Sequence, residues 1–348
     1  MILKIGKKKF DLKNRAFVIA EIGHNHKGSL QIAKDLIKAA KDAGADAVKF
    51  QKRNNKELYT KTMFDQPYDH PNSYAKTYGL HREALEFNIK QYKTLKKYSE
   101  KLDIIFFATP FDFSSVDFLE KVGVVCYKMA SADLTNTPLQ KYIAKTKKTI
   151  FLSTGGGNYS DIVRAYKNIS KYNKNLAVLH CTASYPADVN DMNLNILKKL
   201  RKSFPKTLLG LSDHENGIDA APLAYLMGAR IFEKHFTLNR AWKGTDQSFS
   251  LEPQGLKKLI RNLKRIPLIL GSHNKKFLKS EKEPIRKMAK SIVAAHDLSK
   301  GHIIKYKDLA FKSPGEGLKP YEYNDILYKK LKKDIKKDEL FNKDFLSK

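Results

Sequence analysis

An eight-stranded (β/α) barrel followed by a small C-terminal β-rich module is the fold class that three observations on the 348-residue chain predict. Short β-branched and aromatic runs alternate with helical apolar patterns at intervals of about 25 to 35 residues, the mark of repeated βα units around a parallel sheet. Most of these runs end in a polar side chain with chemical capacity, and a closed barrel gathers such ends around one axis. After Gly271 the pattern stops and a charged stretch leads into sequence of another character. The rival arrangement, a doubly wound open sheet, would scatter the strand ends.

The eight strands are read, in order, over Phe17 to Glu21, Ala47 to Gln51, Ile104 to Ala108, Val124 to Met129, Thr149 to Ser153, Ala177 to Cys181, Leu208 to Ser212 and Arg230 to His235. Apolar residues at helical spacing place helices over Leu30 to Ala43, Ser114 to Val122, Thr137 to Thr146, Tyr159 to Ser170 and Asn193 to Arg201, with a closing helix over Pro253 to Leu270. Tyr59 to Glu86 is a long excursion rich in Tyr, His, Asn and Pro, expected to arch over the strand-end face. The domain reading is a barrel over residues 1–271, a linker over 272–290 and a small module over 291–348. That module carries two similar halves, Val293 to Leu309 and Leu331 to Phe345, and its small size predicts that it docks onto something.

The 66 Lys and Arg against 36 Asp and Glu give a formal charge of +30. The lysines are dispersed along the chain and are not interleaved with aromatics in one stripe, which argues against nucleic acid as a partner. A positive field still suits the capture of a polyanionic small substrate. Apolar runs are of strand length, far short of the roughly 20 residues of a membrane span. The first residues lack the apolar run of a secretory signal, and Cys126 and Cys181 make no disulfide framework, so a cytoplasmic location is the expectation.

Strand ends carry the chemistry. Glu21 closes an apolar strand and precedes a glycine-broken loop with His24 and His26; it reads as a general acid or base, or as part of a structural cluster. Lys49 and Lys128 each interrupt an apolar strand, and a buried lysine must be paired or must hold an anion. Together they suit a ligand with two negative groups; Schiff-base chemistry on one of them is the competing reading. Ser131, Ser153 with the following glycines Gly155 to Gly157, Tyr185 and Ser212 add the hydroxyls and backbone amides of a phosphate cradle. His214 and His235 end adjacent strands with Asp246 shortly after, a pattern for an open divalent-metal site or for two satisfied core histidines. Cys181, next to His180, reads as packing.

Glu21 to Gly28, Gly44 to Gln51, Ala108 to Phe111, Leu152 to Gly155, Leu179 to Thr182, Ser212 to His214, Glu233 to Leu238 and Phe249 to Pro253 recur in an order and spacing that resemble the sialic acid (N-acetylneuraminate) synthase family. The segment after Ser291 resembles the family's antifreeze-like (SAF) domain. The resemblance implies a TIM barrel that condenses phosphoenolpyruvate with N-acetylmannosamine or a related aldose, giving a nonulosonic acid and phosphate. It also implies a domain-swapped homodimer, with the small domain of one chain over the barrel mouth of the other. Carried over, it makes His214 and His235 ligands of Mn2+ or Mg2+ and Glu21 and Asp246 the catalytic carboxylates. Lys49, Gln51, Thr109, Lys128, Ser131, Asp133, Ser153, Tyr185 and Ser212 become substrate-binding residues.

Four positions depart from the family pattern: Ser313 stands where an arginine reaches the N-acetyl group, Asp133 replaces a glutamate, Ala183 an asparagine, and Gln247 a frequent histidine. The loss of a bidentate cation at Ser313 predicts weakened binding of N-acetylmannosamine. The alternatives are a synthase for another nonulosonic acid, of the legionaminate, pseudaminate or deaminated type, and a non-catalytic carbohydrate-binding barrel.

Overall fold

The computed structural model describes residues 1–347, and the chain divides after Gly271 into two compact units. The first unit begins with an antiparallel hairpin, β1 (Ile2–Ile5) and β2 (Lys8–Asp11). Eight parallel strands then form a closed barrel: β3 (Phe17–Gly23), β4 (Ala47–Lys52), β5 (Ile105–Pro110), β6 (Cys126–Met129), β7 (Thr149–Ser153), β8 (Leu176–Cys181), β9 (Leu208–Asp213) and β10 (Ile231–His235). Pairing of β10 back onto β3, from Ile231 opposite Phe17 to His235 opposite Glu21, closes it. All eight strand regions read from the sequence are present, and the open sheet is excluded.

Two buried clusters follow from the two-residue period of a strand. Val18, Ala20, Val48, Phe50, Leu152, Val178 and Leu211 face outward onto the helices. Phe17, Ile19, Ala47, Ile105, Phe107, Cys126, Phe151, Ala177, Leu179 and Ile231 fill the barrel interior together with Leu3, Ile5 and Leu12 of the N-terminal hairpin. The hairpin therefore plugs the end at which the strands begin. One step beyond the apolar layers, the inward positions become Glu21, Lys49, Lys128, Ser153, Ser212 and Glu233, all buried. The fold thus supports polar side chains on a rigid apolar floor.

The outer helices match the apolar spacing closely. Leu30–Ala43 is capped by the Ser29 side chain, which accepts from the Ile32 amide, and ends at Gly44 with φ 95°. Tyr159–Ser170 and Pro253–Leu270 have the predicted bounds, while Ile89–Lys101 and Ala220–Leu226 are further helices. The excursion between β4 and β5 holds short helices at Asn55–Leu58, Lys61–Asp65 and Tyr78–Glu83. Its Tyr74 hydroxyl donates to the Lys243 carbonyl at 2.6 Å, and the Gly244 amide donates to Asn72 Oδ1 at 3.1 Å. These bonds tie it to the loop that carries Asp246.

The second unit contains a helix, Lys282–Met288, and one antiparallel pair, β11 (Ser291–Ala294) with β12 (Leu309–Lys312). Isolated bridges join its similar halves, Leu298 to Ile335 and Ile303 to Lys330. Its own core includes Ile292, Leu298, Ile304, Ile326, Leu331, Ile335 and Phe341. Regular strand is sparser than the sequence suggests, because the two halves meet through single bridges. Among the described residues no helix is long and apolar enough to cross a membrane.

Candidate active site

A cavity of about 790 Å³ opens at the C-terminal ends of the barrel strands. Its floor is a buried charge cluster. Lys49 Nζ lies 2.9 Å from Glu21 Oε2 and donates to Thr109 Oγ1 at 2.9 Å. Glu233 Oε1 lies 3.7 Å from Lys49 Nζ and 3.6 Å from Lys128 Nζ, and it accepts from Ser212 Oγ at 3.3 Å. Gln51 Nε2 donates to Glu21 Oε1 at 2.7 Å. Burial, reinforced by repulsion from Glu233, pushes the Glu21 carboxyl above the usual range. Burial also lowers Lys128, whereas the two lysines hold Glu233 down against its own burial. One raised and one lowered carboxyl in a single cluster is the arrangement that separates proton-transfer roles.

Hydroxyls and glycines form one wall. Ser131 Oγ accepts from the Gly155 amide at 3.0 Å, and the buried Ser153 Oγ has no hydrogen-bond partner. A Cβ at Gly155 would stand 2.8 Å from both Ser131 Oγ and the Ala183 Cβ, so this turn requires glycine. Tyr185 lies over His214 with ring centroids 4.2 Å apart.

The His214 and His235 rings are 5.3 Å apart. His214 Nδ1 is 2.8 Å from the Thr182 carbonyl; the tautomer that donates to it leaves Nε2 as a lone-pair donor. His235 Nδ1 lies 3.5 Å from Asp246 Oδ2 and has no hydrogen-bond partner, and burial lowers this imidazole to about 3, so it is neutral at pH 7. Burial opposes a charge on His214, but the contacts with Cys181 and the Thr182 carbonyl outweigh it and raise its pKa. Two imidazoles, one with an unpaired buried nitrogen, fit a divalent transition metal. Among the described residues no group of three His, Cys, Asp or Glu converges, so water or substrate oxygens would have to complete the shell.

Of the residues singled out from the sequence, Glu21, Lys49, Gln51, Thr109, Lys128, Ser131, Ser153, Tyr185, Ser212, His214, His235 and Asp246 all line this cavity. Asp133 does not: its Oδ1 accepts from Asn136 Nδ2 at 3.0 Å, and burial raises it to about 6. His180 also fails to converge, because β8 alternation turns it outward, where its Nε2 meets the Met192 carbonyl at 2.6 Å. Cys181 is more than packing; its Sγ is 3.8 Å from His214 Nδ1. Gln247 is structural, with Nε2 donating to the Asn25 carbonyl at 3.1 Å. His26 packs on Phe87 at 4.2 Å, the structural alternative for that loop.

Sequence reasoning missed Glu233, although a carboxylate inside an apolar strand is the same anomaly that exposed Lys49 and Lys128. It also missed Arg53 and Arg82, with Tyr68, His70 and Asn72, which line the cavity from the β4 end and the excursion. No pattern in that polar stretch announces which of its side chains turn inward.

The NeuB family model matches residues 36–275, and the SAF domain model matches residues 289–347. The N,N'-diacetyllegionaminic acid synthase of Campylobacter jejuni is 39% identical over 330 residues, covering 94% of this chain and 98% of its own. The N-acetylneuraminate-9-phosphate synthase of Homo sapiens is 35% identical over 324 residues, covering 93% and 90%. The crystal structure of N-acetylneuraminic acid (sialic acid) synthetase from Leptospira borgpetersenii, solved in complex with citrate, superposes with a TM-score of 0.71 at 34% identity, covering 82% of this chain and 95% of that one.

Proposed function

Because this chain belongs to the NeuB family, we propose that it is a nonulosonic acid synthase that condenses phosphoenolpyruvate with an aldose and releases inorganic phosphate. The observation that carries this reading is the buried Glu21–Lys49–Glu233–Lys128 cluster beneath one cavity, bordered by the Ser131–Gly155 turn. Lys49 and Lys128 bind the carboxylate and phosphate of phosphoenolpyruvate, with Thr109, Ser131, Ser153, Ser212 and Tyr185 adding hydroxyls. Its C3 bonds to the aldehyde carbon of the open-chain sugar, and C2 becomes cationic. Water adds to C2, and the C–O bond to phosphorus-bearing oxygen breaks, leaving a ketone at C2. Glu21, with its pKa raised by burial and its position set by Lys49 and Gln51, takes the proton of the incoming water. Asp246, oriented by Thr245 Oγ1 at 3.0 Å, accepts from sugar hydroxyls.

His214 and His235 would hold Mn2+ or Mg2+, which when bound supplies Lewis-acid polarisation of an aldehyde oxygen. A homodimer in which the SAF domain of one chain covers the barrel mouth of the other is part of the same reading. Static light scattering tests it, with a fully active monomer as the contrary result.

The deciding assay measures phosphate release from phosphoenolpyruvate with N-acetylmannosamine, its 6-phosphate, mannose and diacetamido hexoses, with mass spectrometry of the product. Release with at least one aldose, lost on adding EDTA, supports the synthase. Metal-independent turnover with a borohydride-trapped lysine adduct would assign the site to Schiff-base chemistry on Lys49 or Lys128. No release with any aldose would favour the non-catalytic binding barrel. His214→Ala and His235→Ala should each lose turnover and bound metal while the folded far-ultraviolet spectrum is kept; a variant with normal metal content would make that histidine structural.

A further inference from the structure

Lys234 and Asp213 are each 2% exposed and form an ion pair at 2.9 Å that the condensation does not use. On β10, Glu233 and His235 line the cavity, so strand alternation turns Lys234 between them to the outer face of the barrel, where it stands in register opposite Asp213 of β9. The β9–β10 ladder ends at this pair. His214 and His235 therefore stand one residue beyond it, and the ladder does not set their spacing. Side chains take over there. Asp213 Oδ1 accepts from the Glu215 amide at 2.9 Å, and Lys234 Nζ, besides donating to Asp213 Oδ2, donates to the Glu215 carbonyl. The His214 carbonyl accepts from the Ala187 amide at 3.0 Å, which holds the same turn to the loop after β8. The turn Asp213–His214–Glu215 is thus gripped on both sides of His214 by the residue that immediately precedes His235.

A buried ion pair can often be replaced by apolar side chains of similar volume without loss of stability, so stability alone does not account for this one. Apolar side chains cannot supply the directed bonds to Glu215. We propose that Lys234 and Asp213 are positioning residues for the divalent-metal site: they fix the backbone of Glu215 and with it the offset of His214 from His235, whose rings are 5.3 Å apart. The inference rests on the metal-dependent synthase reading and deepens it. Residues that orient metal ligands from outside the coordination shell are worth about 10- to 100-fold in metal affinity, which sets the size of the expected effect.

The test titrates Mn2+ into the metal-stripped full chain by isothermal titration calorimetry, and into Asp213→Asn, Lys234→Met and the double variant Asp213→Leu/Lys234→Met. A single change strands the partner's charge in the interior, whereas the double variant removes both charges at once and is expected to stay folded. Each folded variant should bind Mn2+ about 10- to 100-fold more weakly than the parent. Its turnover should fall at low Mn2+ and recover as Mn2+ is raised, with KM for phosphoenolpyruvate at the parent's value. A purely structural pair would change the melting temperature and leave Mn2+ affinity alone. Parental affinity in the double variant, or loss of its fold, overturns the inference and leaves the synthase reading standing. A parent chain that binds no Mn2+ overturns the metal site and this inference with it.

Discussion

Glu21, Lys49, Glu233 and Lys128 are almost fully buried beneath the cavity and offset one another's charge, so each is held by its neighbours more than by the strand that bears it. Removing one member leaves a buried charge uncompensated. Asp133 is the opposite case, a carboxyl whose environment favours the proton. Burial raises it from 3.8 to about 6, so its contribution to stability is complete below 3.8 and disappears as pH rises through 6. Asp133→Asn keeps the volume and removes the penalty. The variant should be more stable than the parent at pH 8 by about 2 kcal/mol and nearly equal to it at low pH. Denaturant melts at both pH values check this; a gap that does not widen with pH would show that the carboxyl is solvated.

At the scale of elements, one barrel does two jobs at its two ends. The hairpin β1–β2 seals the strand starts with Leu3, Ile5 and Leu12, whereas the strand ends carry the polar cluster. Leu12→Ala should therefore lower stability by about 2 to 5 kcal/mol, measured by chemical denaturation, without changing turnover per folded molecule. A change in KM for phosphoenolpyruvate would mean that the plug and the site communicate. Gly155→Ala should do the reverse. Its Cβ would crowd Ser131 and Ala183 in the hydroxyl wall, raising KM for phosphoenolpyruvate at least about tenfold while costing about 1 to 3 kcal/mol in stability. Normal KM with normal stability would show that the wall can yield.

Across the whole molecule, the charge of +30 governs how stability and substrate capture respond to salt. Self-repulsion among dispersed lysines destabilises compact states and is screened as ionic strength rises. The melting temperature should therefore increase between about 0.05 M and 0.5 M NaCl, while KM for phosphoenolpyruvate should rise as the attraction of an anionic substrate is screened. A melting temperature that falls with salt would mean that ion pairs such as Lys38–Asp42 and Lys96–Glu100 outweigh the repulsion.

The barrel was legible in the chain's own pattern, because a strand's two-residue period and a helix's 3.6-residue period are local properties written in consecutive side chains. That pattern also marked Lys49, Lys128, His214 and His235 as polar anomalies in apolar runs, and all four line the cavity, burial making such groups costly unless they are paired. Side-chain direction and partners, by contrast, emerge from packing. Asp133 lies beside the cavity wall and turns to Asn136, and His180 turns outward where Cys181 turns in. Arg53 enters the cavity from the end of β4 and Arg82 from a polar excursion without periodicity, so their convergence depends on how that segment folds back over the strand ends. Contacts between residues far apart in the chain are set by packing and loop closure, and no local pattern encodes them.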